Sequence, residues 1–382
     1  MCITDVQRSI LADTKKVEEV LNLNNMRKAI PEEAFKKDVV KSFYFFFFDY
    51  AMVSGSIYCL MYLNNSGFMA TLPTWLQYVV AGILWNIAGF FMWGIFVVGH
   101  DCGHGTFSDN WLLNDIIGHI CHGSIMVPYY PWQLSHRRHH MYHNHVDKDY
   151  SHPWYTPDKL EKEDEHLARM MEKFPFIRFF FPFIGWQLYL YGMPDGSHWI
   201  PFSSQRMWAE SEVIEYQKCI LSTLVVVMNV AAVYLMCGQD LVNVAYYYIP
   251  PYMVYGWWLV TVTYLQHHDH DTLVYDNEDW KFVDAAFETV DRKFGFGIDY
   301  LHHHITDGHV AHHLFFTKIP HYNLPIATEA IQSYLKNHKM DFIYKFDITY
   351  DFPIRVHKYM VQFGLSAHRA KPVVEADAKK SK

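Results

Sequence analysis

Four stretches of this chain, residues 43–63, 76–98, 220–237 and 245–266, are apolar over close to the ~20 residues that a helix needs to cross the hydrocarbon core of a bilayer. Lipid offers no hydrogen-bond partners, so a backbone that enters it has to satisfy its own N–H and C=O groups, and an isolated run of this kind does so only as a helix. The second and third runs contain no Lys, Arg, Asp or Glu. The first carries Asp49 and the fourth carries Pro250 and Pro251, costs that packing or water has to offset. A further aromatic run, 174–190, is broken by Arg178, Pro182 and Gly185 and reads as a segment lying on the membrane. The stretch 116–130 is too short to cross and return, which gives it a re-entrant or surface position.

Charge gives the expected sidedness, because Lys and Arg accumulate on the cytosolic flanks of membrane helices. Loops 64–74 and 238–244 contain neither residue and are assigned to the lumen. The segment before the first run holds Lys15, Lys16, Arg27, Lys28, Lys36, Lys37 and Lys41. It is assigned to the cytosol with the large middle region and the C-terminal part, so that both termini are cytosolic. Residues 1–37 are polar and charged, unlike a cleaved signal or transit peptide. The six cysteines show no paired spacing and fit a reducing compartment. A formal charge of −8 and the lack of a basic footprint argue against nucleic acid. The tail Lys379-Lys380-Ser381-Lys382 fits a dilysine retrieval signal of the endoplasmic reticulum or, equally, a solvated basic end.

The 25 histidines are clustered. His100 and His104 follow the second run in HDCGH; His136, His139 and His140 form HRRHH; His309, His312 and His313 form HVAHH. Residues three and four apart share one face of a helix, so each cluster can present its imidazoles to a common point. Alone, one cluster is more often a hydrogen-bonded core or surface feature. With four spans, however, all three emerge on the cytosolic side and can converge there. Imidazole suits iron, copper, nickel and zinc. Eight ligands exceed what one tetrahedral zinc takes but suit two adjacent ions with open positions. Iron leads, since zinc has no redox chemistry and a centre at a bilayer face is placed to meet an alkyl chain. The fold class expected is all-α integral membrane: four transmembrane helices and a cytosolic helical cap carrying a histidine-rich di-iron site.

At these boxes the chain resembles the membrane fatty acid desaturases, in particular the methyl-end Delta-12 and omega-3 enzymes of plants and nematodes. The resemblance runs from about Ala29 to Leu335 and includes VGHDCGHGTFSDN from Val98, PWQLSHRRHH from Pro131, DKDYSHPW from Asp147, MPDGSHW from Met193, TYLQH from Thr263 and ITDGHVAHHLFFTKIPHYNL from Ile305. Front-end desaturases typically have Gln where this chain has His309, and a fused cytochrome b5 domain with an HPGG motif that is lacking here. By this resemblance His100, His104, His136, His139, His140, His309, His312 and His313 ligate two irons. His267 is the expected ninth ligand, with His303 its competitor. The expected divisions are a cytosolic segment 1–41, a desaturase domain 42–345 and a cytosolic tail 346–382.

The resemblance also implies the chemistry. Dioxygen is the co-substrate, hydrogens leave two neighbouring methylenes of an acyl lipid, and water and an alkene result. No dinucleotide, flavin or haem fingerprint is present, so electrons come from a separate donor, for this family cytochrome b5 and its NADH-dependent reductase. Arg137, Arg138 and Lys148 are candidates for its docking surface, and Trp111, Trp132, Trp154 and Trp199 for the walls of an acyl tunnel, against the plainer role of packing or interface anchors. Carboxylates that could orient the histidines are Asp101, Asp115, Asp147, Asp149 and Asp307. Delta-12 desaturation of oleoyl chains is favoured, with omega-3 or bifunctional desaturation as the alternative. Further alternatives are an acyl hydroxylase or acetylenase, a zinc-dependent membrane hydrolase, and a non-catalytic metal-binding protein. The expected location is the endoplasmic reticulum membrane.

Overall fold

A computed structural model of the chain describes residues 5–149, 151–152, 154, 156, 170–171, 173–192, 196–200, 213–366 and 368–369. The dilysine tail, Tyr150, Pro153 and residues 193–195 of the MPDGSHW motif lie outside these. Three helices are long and apolar enough to cross a membrane: α1 (Val39–Asn65), α2 (Thr74–His104), and the 216–236 part of a third helix that begins at Val213. Between α2 and that helix come α3 (Trp111–Ser124), α4 (Tyr129–Tyr142) and α5 (Pro175–Tyr191), so it is α6 (Val213–Met236). The chain continues through α7 (Ile249–His267), α8 (His309–Phe315), α9 (Leu324–Asn337) and α10 (Phe352–Phe363). Strand structure among the described residues is confined to two short parallel pairs, Leu273–Val274 with His368–Arg369 and Asp291–Lys293 with Phe346–Ile348.

The expected fourth span is not continuous. Helix Leu241–Tyr247 ends at Tyr248, and α7 restarts at Ile249 with Pro250 and Pro251 in its opening turn. Proline has no N–H to donate, so it can begin a helix but not continue one. α7 is thus 19 residues long, buried along most of its length, and not among the three candidate spans. The run 174–190 folds as one helix despite Pro182, with Phe176, Phe179, Phe180, Phe183 and Ile184 exposed on one side. α3 is amphipathic: Trp111, Leu112, Ile116 and Ile120 are exposed while Ile117, Cys121 and His122 are buried. At ~1.5 Å per residue it covers roughly 21 Å, too little to cross the hydrocarbon core.

Local chemistry sets the ends of the helices that matter. Asp38 caps α1, its carboxylate accepting the N–H groups of Val40 and Lys41 at 2.9 and 3.1 Å. Gly105, at φ +72°, stops α2 immediately after His104, in a left-handed conformation that glycine alone adopts freely. Asn110 then caps α3 through the N–H groups of Leu112 and Leu113. α2 rises about 46 Å over its 31 residues, more than a hydrocarbon core of about 30 Å, so it is long enough to cross and still carry part of its length outside the apolar layer.

The two loops without Lys or Arg meet at one end of the bundle, where Leu60, Met69, Ala81, Cys237 and Tyr247 form a small core and the Asn64 amide donates to the Tyr247 hydroxyl at 2.9 Å. The histidine-bearing ends of α2 and α7 lie at the other. Both chain flanks join the main core. Val20, Met26, Ile30 and Ala34 pack there, with the Asn323 amide donating to the carbonyls of Glu33, Ala34 and Lys36; α10 packs on α5 and α7.

α2 and α3 approach each other through Gly99, where an added Cβ would lie 2.2 Å from His122 Nδ1 and 2.8 Å from Cys121 Cβ. Gly99→Ala is expected to cost about 1–3 kcal/mol through overpacking. Gly82→Ala, with nothing within 4 Å, leaves stability unchanged. Melting midpoints of the two variants in detergent check the contrast.

Candidate metal centre

The three boxes arrive on separate elements. His100 and His104 lie one turn apart at the C-terminal end of α2, His136, His139 and His140 on one face of α4, and His309, His312 and His313 on the short helix α8. His267 is the final residue of α7. All nine come together. His100, His104, His136, His140 and His312 form one group and His139, His267 and His313 another, with ligand atoms in each group within 4.8 Å of one another. His309 joins the second group, its Nε2 lying 3.1 Å from His267 Nε2. His303 belongs to neither, because its Nε2 donates to Asp49 in α1 at 2.7 Å.

The distances inside the groups are those of side-by-side donors. His104 and His100 Nε2 atoms are 3.2 Å apart, and His140 Nε2 lies 3.1 Å from both His136 Nε2 and His312 Nε2. Ligands about 2.1 Å from one ion and at right angles to each other are separated by about 3 Å. Burial pushes the imidazoles of His136, His140, His309, His312 and His313 well below the usual histidine range, so they are neutral and each keeps a ring lone pair. One N–H on His140 Nε2 can bridge only one of its two close contacts, leaving lone pairs facing each other in a water-poor interior. A cation removes that repulsion. The donor set therefore fits a pair of imidazole-liking ions, and five nitrogens in the first group exceed the four of tetrahedral zinc.

Of the five candidate carboxylates, Asp149 meets a box histidine squarely: His139 Nδ1–H donates to it, 2.9 and 3.0 Å from its two oxygens. This fixes the His139 tautomer so that Nε2 carries the lone pair. Asp101 lies 3.9 Å from His100 Nδ1 but accepts both the backbone and the ring N–H of His321, at 3.0 and 2.8 Å. Asp115 pairs with His119 and Asp307 with His304, neither of them box residues, while the Asp147 N–H donates to His145 Nδ1. Sequence reasoning overlooked His143 and His198. His143 is buried, donates from Nδ1 to the His140 carbonyl at 2.8 Å, has its ring 4.8 Å from that of His313, and is pushed down by burial to about 4. His198 Nε2 lies 2.9 Å from Ser135 Oγ, which docks the SHW end of the MPDGSHW motif behind box two.

An apolar cavity ends on the cluster. His100, His136, His139, His267 and His309 close one side, and Trp93, Phe96, Trp132, Trp186, Leu259 and Val260 contribute walls. Trp93 is seven residues before His100 on α2 and Leu259 eight before His267 on α7, so the walls extend roughly 10–12 Å from the imidazoles. Of the four tryptophans expected there, only Trp132 lines it. Trp111 is exposed, Trp199 is half-buried elsewhere, and Trp154 makes tilted ring contacts with His152 and His268. Trp93, Phe96 and Trp186 reach the cavity from α2 and α5, and no local signal separates them from the other aromatic residues of those runs.

The chain belongs to the fatty acid desaturase family, whose model matches residues 73–346. It is an acyl desaturase, an oxidoreductase, as the resemblance at the histidine boxes implies. It is 37% identical over 369 residues, 95% of this chain and 93% of the relative, to the Delta(12) fatty acid desaturase fat-2 of Caenorhabditis elegans. It is 36% identical over 385 residues, covering 97% and 89%, to the omega-3 fatty acid desaturase fat-1 of the same organism. With the acyl-lipid omega-3 desaturase (cytochrome b5), endoplasmic reticulum, of Arabidopsis thaliana it shares 35% over 319 residues, covering 82% and 76%.

Asp149→Ala frees the His139 ring and is expected to lower metal affinity or desaturation about 10–100-fold. Asp149→Asn, which keeps one acceptor oxygen, should fall between it and the wild type; metal content and product formation of the purified variants check the order.

Proposed function

We propose that this desaturase introduces a cis double bond toward the methyl end of an acyl chain, favouring the Delta-12 position of oleoyl chains, in the endoplasmic reticulum membrane. The observation that carries the reading is the apolar cavity bordered by five of nine clustered imidazoles. His100, His104, His136, His140 and His312 would hold one iron, and His139, His267, His309 and His313 the other. Bound there, two irons supply the redox chemistry that activates dioxygen. Each turnover removes two hydrogens from neighbouring methylenes and takes two electrons and two protons from outside, so that one dioxygen leaves as two waters.

The chain's own residues orient and shield. Trp93, Phe96, Trp132 and Trp186 hold the acyl chain against the cluster and keep water away from it, and that positioning selects which methylenes react. Four crossings are proposed, with the α7 region as the fourth, the helical cap and both termini cytosolic, and segments 1–41, 42–345 and 346–382 as flank, enzyme and tail. Cytochrome b5 is the proposed donor, in keeping with the donor in the name of the Arabidopsis relative. Its docking site would be the outer face of α4. Arg137 is exposed there, and Arg138 and Lys148 flank the Tyr142 ring at 5.8 and 5.4 Å.

An omega-3 reading has comparable support, because the fat-1 relative is 36% identical over 97% of this chain. Expression in a yeast that makes no polyunsaturated lipid separates the two. The Delta-12 reading predicts linoleate without added substrate, and conversion of fed linoleate alone contradicts it. In the same cells His267→Ala abolishes product, whereas His303→Ala, which removes the pair with Asp49 and ring packing on Phe45 and His321, lowers the amount of protein but leaves its turnover per molecule near wild type.

A further inference from the structure

The second group of imidazoles has to be assembled from parts with no local tie between them. His267 ends α7, while His309 and His313 lie on α8, 42 positions later, yet the Nε2 atoms of His267 and His309 come within 3.1 Å. α8 is seven residues long, too short to hold its own direction, and its N-cap, Gly308, has no side chain to satisfy the opening N–H groups. A strand between the two helices in sequence, Asp291–Lys293, contacts both of them.

We infer that Asp291 and Arg292, consecutive residues of strand Asp291–Lys293, are positioning residues that clamp α7 against α8 and so set the second group; the inference rests on the reading that these imidazoles hold iron. Asp291 Oδ1 accepts the N–H of Val310 at 2.8 Å, supplying the missing cap beside His309, and its other oxygen accepts the Tyr344 hydroxyl. Arg292, fully buried, turns the other way. Its Nε donates to the Leu265 carbonyl at 2.5 Å and its Nη2 to the His268 carbonyl at 3.0 Å, which brackets His267 from both sides. The Val290 N–H donates to the Gln266 carbonyl at 2.9 Å between them.

Charge and anchoring agree with this division. Arg292 places a cation at the C-terminus of α7, the sign that this helix end favours. Arg292 Nη1 is paired with Asp347 at 2.8 Å, and the strand runs parallel to Phe346–Ile348, so the clamp is tied to a third part of the chain. The Arg292 N–H also donates to the Thr306 carbonyl at 2.9 Å, while the Gln266 amide donates to the carbonyls of Ile305 and Thr306. Thus the loop that leads into α8 is pinned directly to the end of α7. Consecutive side chains of a strand point to opposite faces, so Asp291 reaches the backbone of α8 while Arg292 reaches that of α7.

The test is iron per chain and the Mössbauer spectrum of purified wild type, Asp291→Ala, Asp291→Asn and Arg292→Lys. The clamp predicts two irons in the wild type, about one in Asp291→Ala and Arg292→Lys, with loss of the paired-iron spectrum and desaturation down about tenfold or more. Asp291→Asn, whose amide oxygen still accepts the Val310 N–H, recovers both irons and the spectrum. Wild-type iron content and spectrum in Asp291→Ala and Arg292→Lys overturn the clamp, as do an Asp291→Asn variant no better than Asp291→Ala, or unfolding of both damaging variants in place of selective iron loss. A wild type that carries no iron fails at the metal reading instead, and is told apart by that sample alone.

Discussion

Nine imidazoles crowded into a protein interior are the constraint from which the rest of this structure follows. The Nε2 atoms of His100 and His104, of His140 and His312, and of His267 and His309 face each other at 3.1–3.2 Å, and neither Nε2 of such a pair can be satisfied by the other unless one carries a hydrogen. A buried polar group left unsatisfied costs about 1–3 kcal/mol, so such an arrangement is a poor apolar core. It becomes a favourable one when lone pairs that face each other across about 3 Å share a cation. Features that look incidental in isolation then have a purpose: the left-handed Gly105 that ends α2 directly after His104, the Asp149 carboxylate behind His139, and the strand that grips α7 and α8.

The same burial defines where a substrate meets the chemistry. Five of the nine histidines border a cavity whose other walls are mainly aromatic and aliphatic. A hydrocarbon segment gains from leaving water for such a space, and the walls keep water from the reacting carbon. Exposed apolar side chains along α6, among them Ile220, Leu221, Leu224, Val227 and Met228, suit a lipid surround.

Much of this was legible in the sequence because the signals are local. Runs 43–63, 76–98 and 220–237 became helices with only their ends adjusted, as length and hydropathy alone require. Box spacing of three and four residues put each set of imidazoles on one face, and the structure brings all eight together. His267 joined them, while His303 did not. A signal for that choice was present, since Asp49 in an apolar run requires a buried partner and His303 provides it. The run 245–266 divides into two helices, because Pro250 and Pro251 open a new helix at the residue before them, a break that composition alone does not register. The cavity walls were out of reach, because Trp93, Trp132, Trp186 and Leu259 converge from four helices and each has an ordinary helical context. Choosing Asp149 among five nearby carboxylates needed the turn after α4, which places it under His139.

X-ray absorption at the iron edge of the purified protein tests the central claim most directly. The account predicts bound iron whose inner shell is dominated by imidazole nitrogen, together with scattering from a second iron nearby. A protein that binds only zinc in a four-ligand shell, or iron without a neighbouring iron, would contradict it.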